Sequence, residues 1–473
     1  MSIEQDLLTV RRGTVTAPAG CGKTQVIAEA LRRYQGHAPV LVLTHTNAGV
    51  NALRTRLHNL DVPTKSYRAV TIDGFAMRLA ATFPRRSGVS AKVLQLNNAK
   101  TDYPAIRQAA IQLIHGHHLD DVLAATYGRL LVDEYQDCSL TQHRIIDGLA
   151  EALPTCVLGD PMQAIFGFAE PLVNWKTDVL ARFPPIGELE TPWRWINATN
   201  KELGIWLLDA RRMLEAGGSI DLRTAPKQVE LVVLKPADAS AQRMMAARTK
   251  AATANGSVMI IGDSIKVAGR HQVASQTPGA TIVEAVDLKD LIAFGRNFNP
   301  AAASALEDLL NFGGSLMTKL DVPGTKRRIA SLRSGRAKNP ATPMEAGLMA
   351  FEAKPTLRSA QIALTHMREH DDVRVYRPEL LRRCLSALEA ASDGSCTLHE
   401  AAIREREKFR HRGRPLSKRH VGSTLLLKGL EAEVVVILQP ELMDARHLYV
   451  ALTRASHRVV VCSAKPILVP LLG

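Results

Sequence analysis

The sequence predicts an α/β fold of two lobes, each a parallel sheet covered by helices, and three observations lead there. Short β-rich runs alternate with helix-like stretches, the early runs end in polar or glycine-rich turns, and a second such series begins after about residue 190. In the first series Thr14-Val15-Thr16 is followed by Val26, Ile27, Ala30 and Leu31 at helical spacing. Val40-Leu41-Val42-Leu43, Leu130-Leu131-Val132 and Thr155-Cys156-Val157-Leu158 are the next runs. Sheets of this kind gather ligands at the carboxyl ends of their strands. The second series has Glu230-Leu231-Val232-Val233-Leu234, Val258-Met259-Ile260-Ile261, Glu433-Val434-Val435-Val436-Ile437-Leu438 and Arg458-Val459-Val460-Val461-Cys462. Two helix-like stretches interrupt the pattern and read as insertions, a small one over 84–127 and a larger one, rich in arginine and lysine, over 290–415.

A chain of 473 residues is too long for one core, and about two to four domains are expected. The hydrophobic content of 46% is that of an ordinary soluble globular protein. A net charge of +14 attracts anionic partners over a long range, nucleic acid first among them. The six cysteines (Cys21, Cys138, Cys156, Cys384, Cys396, Cys462) are far apart with no CxxC pair. That spacing argues against a zinc site, an iron–sulfur cluster or a disulfide framework, and fits a reducing cytosol. The polar start, Met1-Ser2-Ile3-Glu4-Gln5-Asp6, does not look like a signal peptide, and no apolar run is long enough to span a bilayer. A cytoplasmic protein without a membrane partner is expected.

Ala17-Pro18-Ala19-Gly20-Cys21-Gly22-Lys23-Thr24 follows a strand and opens a helix, the context of a phosphate-binding loop. Gly20 and Gly22 let the backbone around Cys21 turn its N–H groups toward phosphate, Lys23 reaches the β- and γ-oxygens of ATP, and the Thr24 hydroxyl ligates Mg2+. Leu130-Leu131-Val132-Asp133-Glu134-Tyr135-Gln136-Asp137 is an apolar strand delivering adjacent carboxylates. Asp133 would hold the magnesium and Glu134 would polarise the attacking water.

Together with Val157-Leu158-Gly159-Asp160-Pro161-Met162-Gln163-Ala164-Ile165-Phe166-Gly167-Phe168, these residues resemble the superfamily 1 DNA helicases of the UvrD/Rep/PcrA type. The resemblance covers almost the whole chain. Val42 to Ala48 looks like motif Ia, Val70 to Phe75 like motif Ib, and Pro192-Trp193-Arg194 like motif IV. Ser423 to Glu431 is similar to motif V, and Tyr449-Val450-Ala451-Leu452-Thr453-Arg454-Ala455 to motif VI. The family's loop begins with alanine, as Ala17 does here.

The resemblance implies two RecA-like lobes with ATP between them, the first over 1–83 and 128–190 and the second over 191–289 and 416–473. Arg194 and Arg454 would reach the γ-phosphate from the second lobe and stabilise the charge of the departing phosphoryl group. Gln163 would sense the γ-phosphate, Glu431 would accept a ribose hydroxyl, Trp193 would stack on adenine, and Gln5 is the candidate reader of the adenine edge. Thr46, Asn47 and Thr71 are candidate contacts to the nucleic-acid backbone, and Phe166 and Phe168 candidate base-stacking groups. All four tryptophans (Trp175, Trp193, Trp195, Trp206) fall close together in an aromatic-poor chain. Three departures from the family pattern lie toward the DNA side: His45 in place of phenylalanine, Asp73 in place of histidine, and a motif V without His-Ser-Ala ahead of Lys428.

Two basic segments, Lys326-Arg327-Arg328 and Arg410 to Arg419, are either solvated faces or surfaces for duplex DNA or a protein. The leading expectation is an ATP-dependent translocase or helicase moving 3′ to 5′ on single-stranded DNA, with a duplex junction as an additional contact. The rival is a DNA-sensing ATPase subunit that switches a partner nuclease, for example in phage defence; compact UvrD-like proteins of this size occur beside such nucleases in the Gabija system. An ATPase acting on RNA is a third reading.

Overall fold

In a computed structural model the described residues are 3–96, 98–167, 170–411 and 417–472. The first sheet is built from β1 (Arg12–Thr16), β2 (Val40–Thr44), β3 (Tyr67–Thr71), β4 (Arg129–Val132), β5 (Thr155–Gly159) and β6 (Pro185–Glu188), in the order β3-β2-β4-β5-β1-β6. The strands pair in parallel, Val42 opposite Leu131 and Val15 opposite Leu158. β2, β4 and β5 are buried along their whole length, because helices cover both faces of a parallel sheet. That burial explains why these runs are continuously apolar.

The order has a consequence for chemistry. β5 lies between β1 and β4, so the loops leaving β1, β4 and β5 emerge side by side on one edge, with the loops after β2 and β3 beyond them. On one face the helix Ala99–His115, from the small insertion, buries Ile106, Ala110, Ile111 and Ile114 in a core shared with Leu41, Leu43, Ile72, Phe75 and Ile145.

The second sheet comprises β8 (Val229–Val233), β9 (Val258–Ile261), β10 (Ala280–Ile282), β13 (Arg419–Gly422), β14 (Ala432–Ile437) and β15 (Ala455–Ser463), in the order β10-β13-β9-β14-β15-β8. It too is parallel throughout. Two short antiparallel pairs complete the strands, β7 (Ile220–Asp221) with β16 (Ile467–Leu468) and β11 (Met317–Thr318) with β12 (Arg374–Val375). Both β11 and β12 interrupt the mostly helical stretch over 290–411, where Leu309, Leu310, Phe351, Leu364, Leu380 and Leu388 form a core of their own. Of the two basic segments, Lys326 pairs with Glu307 and Arg328 with Glu345. Arg410 pairs with Glu407, while residues 412–416 of the second segment lie outside the described residues. Among the described residues no helix is long and apolar enough to cross a membrane.

The chain packs as two compact units, one of residues 1–229, 441–457 and 467–473, the other of 230–440 and 458–466. This division differs from the one drawn on the sequence, which assigned 191–229, 441–457 and 467–473 to the second lobe. The physical reason is polar anchoring. Arg194 N–H donates to Gly20 O at 3.0 Å, Trp195 Nε1 to Ala455 O at 2.8 Å, and Ala19 N–H to the Tyr449 hydroxyl at 2.9 Å. The first and third bonds fasten these segments to the loop after β1, and the second ties the two segments to each other.

In the second unit Arg377, ahead of the helix Pro378–Ala391, grips Glu284 through two bonds of 2.6 and 2.9 Å and reaches Asp290 at 2.7 Å. His271, on the helix Val267–Gln276, packs edge-on to Tyr376. Burial, helped by the nearby Arg377 and Arg270 charges and opposed by Asp290, lowers its pKa from 6.5 to about 4. The unfolded chain therefore binds this proton more readily than the folded one across that interval. The neutral histidine costs nothing above pH 6.5, and stability is lost as pH falls from 6.5 toward 4. Thermal unfolding of the protein and of His271→Gln across this range should show a shallower acid decline for the variant. Parallel declines would refute the assignment.

Candidate functional site

The loop after β1 turns through Gly20 and Gly22, both with positive φ (75° and 87°), conformations that cost glycine nothing. Space is a second constraint. A Cβ on Gly20 would lie 2.5 Å from Trp195 Cζ3, and one on Gly22 would lie 3.1 Å from Trp193 Cδ1. The Trp193-Arg194-Trp195 segment thus lies directly on the loop. Gly22 caps the helix Lys23–Arg33, whose first turn carries no acidic side chain. Its N–H groups and positive dipole end are placed for an anion. The Cys21 thiol is buried and pushed up to about 12, chiefly by burial, so its contribution is its backbone.

Lys23 Nζ lies 3.3 Å from Asp133 Oδ1 and 2.7 Å from Glu134 Oε1, at the end of β4. Burial favours the neutral amine, but the two carboxylates outweigh it and raise the lysine pKa. Asp133 is raised in turn, mainly by burial, against the pull of Lys23. Glu134 is held in the left-handed region at φ 56°, a conformation that costs a non-glycine residue about 1–3 kcal/mol and persists only where its surroundings enforce it. Here the enforcement is visible: Glu134 N–H donates to Asp133 Oδ1 at 2.9 Å, and the Gln136 amide donates to the Glu134 carboxylate.

Beyond β5 the fully buried Asp160 accepts from Gln163 Nε2 at 3.1 Å, and Arg454 Nη2 donates to Gln163 Oε1 at 3.4 Å. Arg454 is itself buried, its Nε bonded to Val450 O at 2.9 Å. The Arg194 guanidinium donates to Thr453 O at 2.5 Å and sits 5.4 Å from the Trp195 ring. Lys23, Asp133, Glu134, Gln163, Arg194 and Arg454 therefore all belong to one compact unit, linked by short polar contacts. Thr24 is half-buried in the first helical turn, and Trp193 stands half-exposed over Gly22. Gln5 is exposed on the helix Ile3–Thr9. Glu431 is exposed just ahead of β14, in the other unit. The charged loop, the acid-free first turn, and the Thr24 and Asp133 oxygens fit a magnesium-bound nucleotide triphosphate.

The candidate nucleic-acid contacts lie farther along the same edge. Thr46 follows β2 and Thr71 ends the adjacent β3, and each caps a helix, accepting from Gly49 N–H and Gly74 N–H at 3.0 Å. Each hydroxyl accepts in its cap and keeps its own O–H as a donor, beside backbone N–H groups at two neighbouring helix starts. Asn47 is exposed in the first of these turns. The Phe166 ring lies 6.5 Å from that of His45, with the planes 18° apart. Phe168 lies outside the described residues. Of the other tryptophans, Trp195 is fully buried, and Trp175 and Trp206 are half-buried.

Asp73, one of the three departures, has a partner that the sequence did not reveal. Arg107, in the small insertion, clasps it through Nε and Nη2 at 2.7 and 2.8 Å and reaches Glu170 at 2.7 Å, while Gln142 Nε2 adds a bond of 3.2 Å. Sequence reasoning also missed Gln136, Asp160 and Tyr449, which stand inside quoted motifs, and Arg211, which reads as one more charge on an amphipathic helix.

Residues 3–169 match the AAA domain family, and residues 424–462 match the UvrD-like helicase C-terminal domain. No curated protein sequence matches the chain. Among solved structures, the Pif1 helicase from Candida albicans is similar at 11% identity and a TM-score of 0.33, over 58% of this chain and 53% of that one. The chain thus spans about half the length of that helicase.

Replacing Asp73 with alanine leaves Arg107 half-paired, and hydrogen bonds to charged groups of this kind contribute about 1.5–3 kcal/mol. Chemical denaturation should show Asp73→Ala less stable by that order, and an unchanged midpoint would refute the strut. The motif residues of both matched stretches thus lie in a parallel α/β fold, and the chain is similar to an AAA domain over 3–169 and to the UvrD-like helicase C-terminal domain over 424–462.

Proposed function

We propose that this chain hydrolyses ATP with magnesium and couples the reaction to 3′-to-5′ movement along single-stranded DNA. The observation that carries the reading is the meeting of Lys23 with Asp133 and Glu134 at 3.3 and 2.7 Å, in the same unit as the Gln163–Arg454 pair. Lys23 neutralises two carboxylates. When the triphosphate arrives its γ-phosphate competes for Lys23 and releases Glu134 to orient water. Thr24 and Asp133 would hold a magnesium ion, which would supply charge stabilisation on the phosphate oxygens. Arg194 and Arg454 stabilise the charge that develops as the phosphoryl group leaves.

Movement would follow because Arg454 directly precedes β15, a strand of the second sheet. A guanidinium that answers to the γ-phosphate thereby transmits the nucleotide state along the chain. For the nucleic acid, paired helix starts after β2 and β3 suit phosphates, and Phe166 beside His45 suits a base. Such contacts ignore sequence, and binding should weaken steeply with salt.

Steady-state ATP hydrolysis with and without single-stranded DNA tests the proposal. Stimulation by DNA is expected, and Lys23→Ala or Arg454→Ala should lower turnover by about 100-fold or more. Full turnover in either variant, or indifference to DNA, would overturn it.

A further inference from the structure

Donors from four residues converge on one carboxylate that water does not reach. Asp160 Oδ1 accepts the Met162 N–H at 3.1 Å and meets Arg211 Nε and Nη2, both at 3.1 Å. Oδ2 accepts Gln163 Nε2 at 3.1 Å. The Tyr449 hydroxyl donates to the same carboxylate while accepting the Ala19 N–H of the phosphate loop. On its other side the Asp160 N–H donates to Gln136 Oε1 at 3.0 Å, and the Gln136 amide holds Glu134. Asp160 therefore touches the phosphate loop, the catalytic carboxylate and the Gln163–Arg454 pair through one residue each.

We propose that Arg211 is a positioning residue for ATP hydrolysis, holding Asp160 in the orientation that fixes the polarity of the Gln163 amide. The inference rests on the hydrolase reading above. An amide has a donor end and an acceptor end, and here the NH2 end faces the carboxylate while the oxygen end faces Arg454. Flipping it would set oxygen against carboxylate and NH2 against guanidinium, two repulsive contacts. Asp160 thus determines which end of Gln163 meets Arg454, and Arg211 determines where the Asp160 oxygens point. Arg211 is well suited to the task. It comes from the helix Lys201–Glu215, is nearly fully buried, and cannot rotate freely, because its third nitrogen is tethered to Glu215 at 3.0 Å and Glu188 at 3.5 Å. A lysine would retain the charge but not a planar fork that satisfies both ends.

The test compares kcat and KM for ATP, with saturating single-stranded DNA, in the full chain and in Arg211→Lys and Arg211→Met. Arg211→Lys keeps the charge and the fold, as circular dichroism and Tm will show. Its kcat is expected to fall by about tenfold with KM within about threefold, and that of Arg211→Met by about 100-fold. In a Gln163→Ala background Arg211→Lys should cause no further loss, because the two residues act as one unit. Should Arg211→Met fail to fold, the lysine variant and the double variant decide the matter. Full kcat in folded Arg211→Lys, an effect confined to KM or Tm, or losses that multiply with Gln163→Ala would overturn the proposal. A wild-type protein that binds ATP without hydrolysing it would overturn the hydrolase reading itself, a failure visible before any variant is compared.

Discussion

The Asp160 carboxylate is removed from water, and that one constraint organises the first unit. A buried carboxylate is tolerated only with its oxygens satisfied and an opposite charge at hand. Met162, Gln163, Arg211 and Tyr449 meet those needs. In doing so they draw together the loops after β1 and β5, the helix Lys201–Glu215 and the helix Ala445–Leu452. Segments more than two hundred residues apart are fixed to one edge of a sheet by the polar demands of a single side chain. The apolar core beneath sets the strands, but it has no comparable preference for which loop meets which.

The cluster around Lys23 follows a related logic with a different outcome. Its ammonium and the Asp133 and Glu134 carboxylates balance one another, while Glu134 is kept in a left-handed conformation. On the function proposed above, a phosphate would compete with these carboxylates for the ammonium. The Asp160–Arg211 pair has no such competitor, because both groups are sealed from solvent. One pair is built for exchange and the other for permanence.

The departures on the nucleic-acid side acquire physical meaning in the same way. Asp73 is bound by Arg107 and Gln142, so it serves as a strut between the helix Ile72–Thr82 and the small insertion. Thr46 and Thr71 each use a hydroxyl lone pair on a helix cap. Toward an anion this face therefore presents two threonine O–H groups together with the backbone N–H groups of two helix starts.

Local patterning determined a great deal by itself. The runs at Val40–Thr44, Leu130–Val132, Val258–Ile261 and Glu433–Ile437 are apolar because both faces of a parallel sheet are covered, and that signal survives without neighbours. The glycine spacing around Cys21 and the adjacent carboxylates after Val132 were equally legible, because the chemistry resides in consecutive residues. Short or partly exposed strands such as Pro185–Glu188 and Ala280–Ile282 left no such mark. Tertiary structure alone decided which distant groups meet. Arg211 finds Asp160 across fifty-one positions, Tyr449 finds Ala19 across four hundred and thirty, and Arg107 finds Asp73 across thirty-four. It also decided that 191–229 and 441–457 pack with the phosphate loop. Periodicity records the face a residue presents to the core, whereas the partner of a buried charge is a property of how the whole chain closes.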